Sequence, residues 1–85
     1  MRLIIGISGS SGVIYGIRLL EMLQDFDDVE THLVMSRYGR LNIELETNYL
    51  PKDVEELADV VHSERNQAAS ISSGSFGVDG MIVAP

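Results

Sequence analysis

Apolar positions along the chain fall into short runs and helical stripes that alternate. Arg2-Leu3-Ile4-Ile5-Gly6-Ile7 is mostly β-branched and lacks polar alternation, the pattern of a parallel strand buried on both faces. From Val13 to Leu23 the period changes. Gly16, Ile17, Leu19, Leu20, Met22 and Leu23 form a wide apolar arc, and Arg18 and Glu21 share a narrow polar edge, which predicts a helix. Asp25, Asp27 and Asp28 are turn formers that end it, and Val29 to Met35 reads as a second strand. Strand, helix, strand is a βαβ unit, so the strands should run parallel with a right-handed crossover. The loop after the first strand then lies at the carboxyl edge of the sheet, where open α/β sheets bind ligands.

Arg37 to Glu46 carries two overlapping patterns. Leu41, Ile43 and Leu45 alternate as in a strand, whereas Tyr38, Leu41 and Leu45 fit a helix. Helix is favoured, because Glu and Leu are good helix formers and a crossover is needed here; Gly39 counts against it. Pro51 to Val61 predicts another helix. Pro51 suits its first turn, Asp53, Glu55 and Glu56 sit near the positive end of the dipole, and Val54, Leu57, Ala58 and Val61 form one buried face. Ser63 to Gln67 is a polar connection, Ala68 to Gly77 is mostly small and polar, and Met81 to Ala84 reads as a third short buried strand. Three strands with an open edge make an incomplete sheet. Residues 1–85 are therefore expected to be the N-terminal part of a single, longer domain.

Composition narrows the function classes. No apolar run approaches the ~18–20 residues of a membrane span, and Leu3 to Ile7 is too short for a signal-peptide core. Without cysteine this stretch has neither a disulfide framework nor a thiolate metal site. A net charge of −7 argues against a nucleic-acid or anionic-membrane surface. The expectation is a soluble cytoplasmic protein.

The candidate chemistry starts at the loop that follows the first strand. Gly6, Gly9 and Gly12 alternate with Ser8, Ser10 and Ser11 immediately before a helix, an arrangement that offers backbone N–H groups, hydroxyls and a helix N-terminus to an anion. It is neither the G-x-G-x-x-G dinucleotide fingerprint nor a Walker A loop. A tight turn packing strand on helix is the competing reading. The second strand ends in Ser36 rather than the acidic residue of a dinucleotide site, which suits a phosphate or a mononucleotide. On pattern alone Ser36 reads equally as a helix N-cap. His32 reads as a packed or edge histidine and His62 as a dipole partner near a helix end. No metal-ligand spacing and no Ser-His-Asp order is present.

These segments carry a family resemblance. Gly6-Ile7-Ser8-Gly9-Ser10-Ser11-Gly12, Tyr15-Gly16-Ile17-Arg18-Leu19-Leu20 and Glu30-Thr31-His32-Leu33-Val34-Met35-Ser36 resemble the UbiX/Pad flavin prenyltransferases. Glu46-Thr47, Ile71-Ser72-Ser73-Gly74-Ser75-Phe76 and Asp79-Gly80-Met81-Ile82-Val83-Ala84-Pro85 continue the match in order. The resemblance covers about the first half of a typical member. It implies a Rossmann-like (flavodoxin-like) three-layer α/β domain that binds FMN without a metal and forms a homo-oligomer, commonly a dodecamer. The implied reaction joins a dimethylallyl group from dimethylallyl phosphate to reduced FMN. Its product, prenylated FMN, serves UbiD-type decarboxylases. Gly9, Ser10, Ser11 and Ser36 match flavin-binding positions, with Ser10 where Ala is usual. Ser11 and Glu46 match the prenyl-transfer site, Glu46 for proton handling and Ser11 for orienting the reacting groups. Two other readings stay open: an FMN-dependent decarboxylase of the same superfamily, and a non-catalytic flavin-binding subunit of an aromatic acid decarboxylase.

Overall fold

A computed structural model of the chain describes residues 1–9, 12–62 and 77–84. Its elements in chain order are β1 (Arg2–Ile7), α1 (Val13–Leu23), β2 (Glu30–Met35), α2 (Arg37–Glu46), α3 (Pro51–Leu57), β3 (Val60–His62) and β4 (Gly80–Ala84). The strands form one parallel sheet in the order β3-β2-β1-β4. In register, Ile5 lies beside Leu33 and Ile82, and Ile7 beside Met35 and Ala84.

Strand residues two apart share a face, so Ile5, Ile7, Leu33 and Met35 all point to the same side. There they meet Val13, Ile17 and Leu20 of α1, Ile43 of α2 and Val54 of α3, forming one core between the sheet and its helices. Each fully buried side chain of this size contributes about 1.5–3 kcal/mol of transfer free energy. The sheet and this helical layer are two layers of the α/β architecture implied by the sequence. On the opposite face Ile4, Gly6, His32 and Val34 are also buried. Among the described residues no helix is long and apolar enough to cross a membrane.

Four expectations need correction. The helix expected over Pro51 to Val61 stops at Leu57, and Val60–His62 is a fourth strand rather than a helix end. Asp59 is the reason: its carboxylate accepts from the Thr31 N–H at 2.8 Å, and its own N–H donates to the Thr31 hydroxyl at 3.0 Å. That clasp draws the chain alongside β2, so His62 belongs to a strand and not to a helix dipole. Of the strand residues Met81–Ala84, Ala84 alone is buried among the described residues, and Met81, Ile82 and Val83 are exposed. Met22 is exposed on α1, whose buried residues are Val13, Gly16, Ile17 and Leu20. Finally, α2 is a helix as expected, but it buries Gly39 and Ile43 and exposes Tyr38, Leu41 and Leu45.

Candidate functional site

The carboxyl ends of β1, β2 and β4 meet at a cleft of about 190 Å³ lined by Gly6, Ile7, Ser8, Val34, Ser36, Met81 and Val83. Gly6, Val34 and Val83 are neighbours in register and form its apolar floor on the face away from the helices. The hydroxyls of Ser8 and Ser36 stand at its polar rim.

The loop leaving β1 is fastened to the start of α2. Gly9 has φ +92°, a left-handed conformation, and a Cβ there would lie 2.5 Å from the Tyr38 carbonyl carbon. Only glycine lets the backbone turn and lie so close. Gly39 answers it from the helix: a Cβ at that position would stand 2.4 Å from the Ile7 carbonyl oxygen. The residue that weakened the helix assignment on propensity is therefore what seats α2 against the end of β1. The Asn42 side-chain amide donates to the Gly9 carbonyl and fixes the loop from the next turn of α2.

Ser36 is the helix N-cap that one of its sequence readings expects, and it also lines the cleft. Its hydroxyl caps α2 by accepting from the Gly39 N–H at 3.0 Å, donates to the Ser8 carbonyl at 2.8 Å, and lines the cleft. A hydroxyl has one proton and two lone pairs, so Ser36 retains one acceptor site for a ligand and no donor. An anion must then be held from the other side of the loop. There α1 begins at Gly12 with no side-chain cap and no acidic residue in its first turn, which leaves the positive end of its dipole unopposed.

Of the residues singled out in the sequence, Gly9 and Ser36 come together at this edge. Ser10 and Ser11 lie outside the described residues. Glu46, the last residue of α2, is exposed. Ten residues of helix separate it from Ser36, about 15 Å, so the described chain does not bring the two together. Sequence reasoning missed Asn42, which as an amide on a helix flank looks like any surface group.

Two larger clefts, of about 330 and 430 Å³, open at the amino end of the sheet. Asp27, Asp28, Glu30, Glu56 and Asp59 line them, and the larger also has Arg2 and Met1 on its wall. Neither Gly9 nor Ser36 lies there. Of the shifted ionisations, His62 stands beside the cleft residue Val34 in register, whereas Glu21 lies outside the cleft: Tyr49 donates to it at 2.9 Å, and this bond, with Arg18 beside it, holds the Glu21 carboxyl below its ordinary value.

No protein-family profile matches the chain. Among curated proteins, the flavin prenyltransferase UbiX of Salmonella typhimurium is 57% identical over 84 residues, which are 99% of this chain and 44% of that protein. A crystal structure of a dodecameric FMN-dependent UbiX-like decarboxylase from Escherichia coli O157:H7 superposes with a TM-score of 0.92 at 53% identity, over 100% of this chain and 46% of that one. The crystal structure of AnUbiX (PadA1) in complex with FMN and dimethylallyl pyrophosphate superposes with a TM-score of 0.88 at 46% identity, over 96% of this chain and 43% of that one. Sequence and fold thus agree that the chain is UbiX-like along its whole length, and it spans less than half the length of the UbiX proteins it matches.

Proposed function

We propose that this chain builds one wall of the active site of a flavin prenyltransferase, which transfers a dimethylallyl group from dimethylallyl phosphate to reduced FMN. In this reading residues 1–85 are part of a single flavoprotein domain that works in the cytoplasm as a homo-oligomer. The prenylated FMN it makes is the cofactor of a UbiD-type decarboxylase. The observation that carries the reading is the 57% identity to a named flavin prenyltransferase across nearly every residue of the chain. The likeness to a structure holding FMN and a prenyl diphosphate supports the same ligand class.

The residues present fit one side of a flavin. Gly6 has no side chain between Val34 and Val83, leaving a shallow apolar floor for a planar ring. The spare lone pair of Ser36 accepts from a ring N–H. The uncapped start of α1 favours a phosphate through backbone N–H groups and the helix dipole. Reduced flavin, when bound, supplies an electron-rich ring able to accept the prenyl carbon.

The chain's own residues do the rest. Ser11 orients the reacting groups, with Gly9 and Ser10 beside it in the flavin loop. The apolar floor keeps water from the developing allylic charge. Glu46 receives the proton lost as the new ring closes. It does so only where another part of the assembled protein covers the distance along α2.

A second reading is an FMN-dependent decarboxylase, favoured by the likeness to the dodecameric FMN-dependent UbiX-like decarboxylase. One experiment separates the two. The full-length protein is incubated with reduced FMN and dimethylallyl phosphate, and its flavin is analysed by mass spectrometry. A flavin heavier by one prenyl unit is expected. Unmodified FMN together with carbon dioxide release from a carboxylic acid would overturn the prenyl-transfer reading in favour of the second.

A further inference from the structure

Three consecutive carbonyls at the exit of β1 are taken by the start of α2. The Ile7 carbonyl accepts from the Ser36 N–H at 3.0 Å, the Ser8 carbonyl from the Ser36 hydroxyl at 2.8 Å, and the Gly9 carbonyl from the Asn42 side-chain amide. The first two belong to the seat of α2, which Ser36 caps and Gly39 brings against β1. The third is not needed for that seat. Asn42 stands three residues beyond Gly39 on the same helix face, and its Cβ tilts back toward the helix N-terminus. With no side chain at Gly39 in the way, its amide reaches over to the loop. What the bond fixes is one peptide group, the one that follows Gly9.

Without that bond the peptide is able to turn over. Gly9 has φ +92°, and glycine populates both hands of backbone conformation, so it has no side chain of its own to keep the carbonyl in one direction. Two residues separate it from Gly12, where α1 starts uncapped. A carbonyl oxygen is the negative end of its peptide dipole, so one left free beside that helix start opposes an anion there. We propose that Asn42 is a positioning residue: it holds the Gly9 carbonyl toward α2, where the oxygen does not oppose the flavin phosphate, and so sets the preference for a phosphorylated flavin over an unphosphorylated one. The inference rests on the flavin site of the proposed function and deepens it. Asn42 acts through Gly9 and not on the reacting atoms.

The test uses the full-length protein and its Asn42→Ala variant, each freed of flavin and titrated with FMN and with riboflavin, read by quenching of flavin fluorescence. The quantity compared is the ratio of the two affinities, because a general loosening of the site weakens both flavins alike and leaves the ratio unchanged. Wild-type protein should bind FMN more tightly. In Asn42→Ala that advantage should fall by about three- to tenfold, the range of a single hydrogen bond. A fall of less than about threefold overturns the role of Asn42 while leaving the prenyl-transfer reading intact. Wild-type protein that binds both flavins equally overturns the phosphate site and the role of Asn42 together, and the flavin mass spectrum then judges the chemistry separately. Should Asn42→Ala fail to fold, Asn42→Leu decides by the same ratio, since it is uncharged, similar in shape and without a donor. Failure of both variants to fold makes Asn42 a structural residue and overturns the inference.

Discussion

His32 Nδ1 lies 2.9 Å from His62 Nε2, and the two imidazoles stack with centroids 5.1 Å apart across the β2–β3 pair. On its other side His32 Nε2 stands 2.6 Å from Glu30 Oε1, which Arg2 Nε approaches at 3.2 Å. Each contact needs one proton between its two heavy atoms. The carboxylate contact puts a proton on His32 Nε2. The ring–ring contact then holds one more, on either His32 or His62, and a second proton there would set two donors face to face. The pair ties β3 to β2, where three residue pairs are in register among the described residues.

Acid should therefore loosen this edge. Burial first, and then the charge of His32, hold His62 below the 6.5 of an ordinary imidazole. A group whose folded value is lowered contributes stability that is intact above pH 6.5 and lost as pH falls through the folded value. Glu30, held below its ordinary 4.5 mainly by the hydrogen bond from His32, adds a further loss at lower pH. Histidine NMR titrations of the full-length protein should give His62 a midpoint below 6.5. A midpoint at or above 6.5 refutes the arrangement.

The seat of α2 on β1 predicts a second result. Gly39→Ala puts a methyl group within 2.4 Å of a backbone oxygen, which cannot rotate away. The helix must shift, at a cost of about 1–3 kcal/mol, the usual range for overpacking. Urea unfolding should reveal a lower midpoint with an unchanged slope. Wild-type stability in the variant would mean that α2 sits farther from β1.

How much of this was legible in the sequence depends on how local each cause is. β1, α1 and α2 begin and end where the apolar runs and periods put them, because those patterns are set by neighbours in the chain. β3 was hidden because Val61 continues the helical spacing of Val54, Leu57 and Ala58. What breaks the helix is Asp59 reaching Thr31, 28 residues away. Tyr38, Leu41 and Leu45 illustrate a different limit: periodicity reveals that a face is apolar, not what covers it. At the site, Gly9 and Ser36 stood out by residue type and position. The Asn42 contact with Gly9 depends on how the loop folds back over α2, which no local pattern encodes.

Gly6 separates folding from binding. A Cβ there would meet nothing closer than Val83 Cγ2 at 3.7 Å, so Gly6→Ala fits the strand without strain. Strand interiors favour Ala over Gly by roughly 0.5–1 kcal/mol, so stability should hold or rise slightly. The new methyl nevertheless stands in the middle of the cleft floor between Val34 and Val83. Weaker FMN retention with an unchanged melting temperature is expected, read from flavin absorbance after gel filtration. Full retention in the variant would remove Gly6 from the flavin floor.

Glu46 is the residue whose proposed work is hardest to reconcile with one chain alone, because it is exposed at the far end of α2 from Ser36. If it takes a proton during ring closure, Glu46→Gln keeps its size and polarity and removes only its basicity. Loss of a general base costs about 10²–10⁴ in rate. Full-length Glu46→Gln should retain FMN and form prenylated flavin that much more slowly. Rapid mixing of the reduced, FMN-loaded variant with dimethylallyl phosphate, followed by mass spectrometry of the flavin, measures the effect. Loss of FMN on purification would instead assign Glu46 to holding the flavin. A wild-type rate would remove it from the chemistry, leaving the proton to a group that this stretch of chain does not contain.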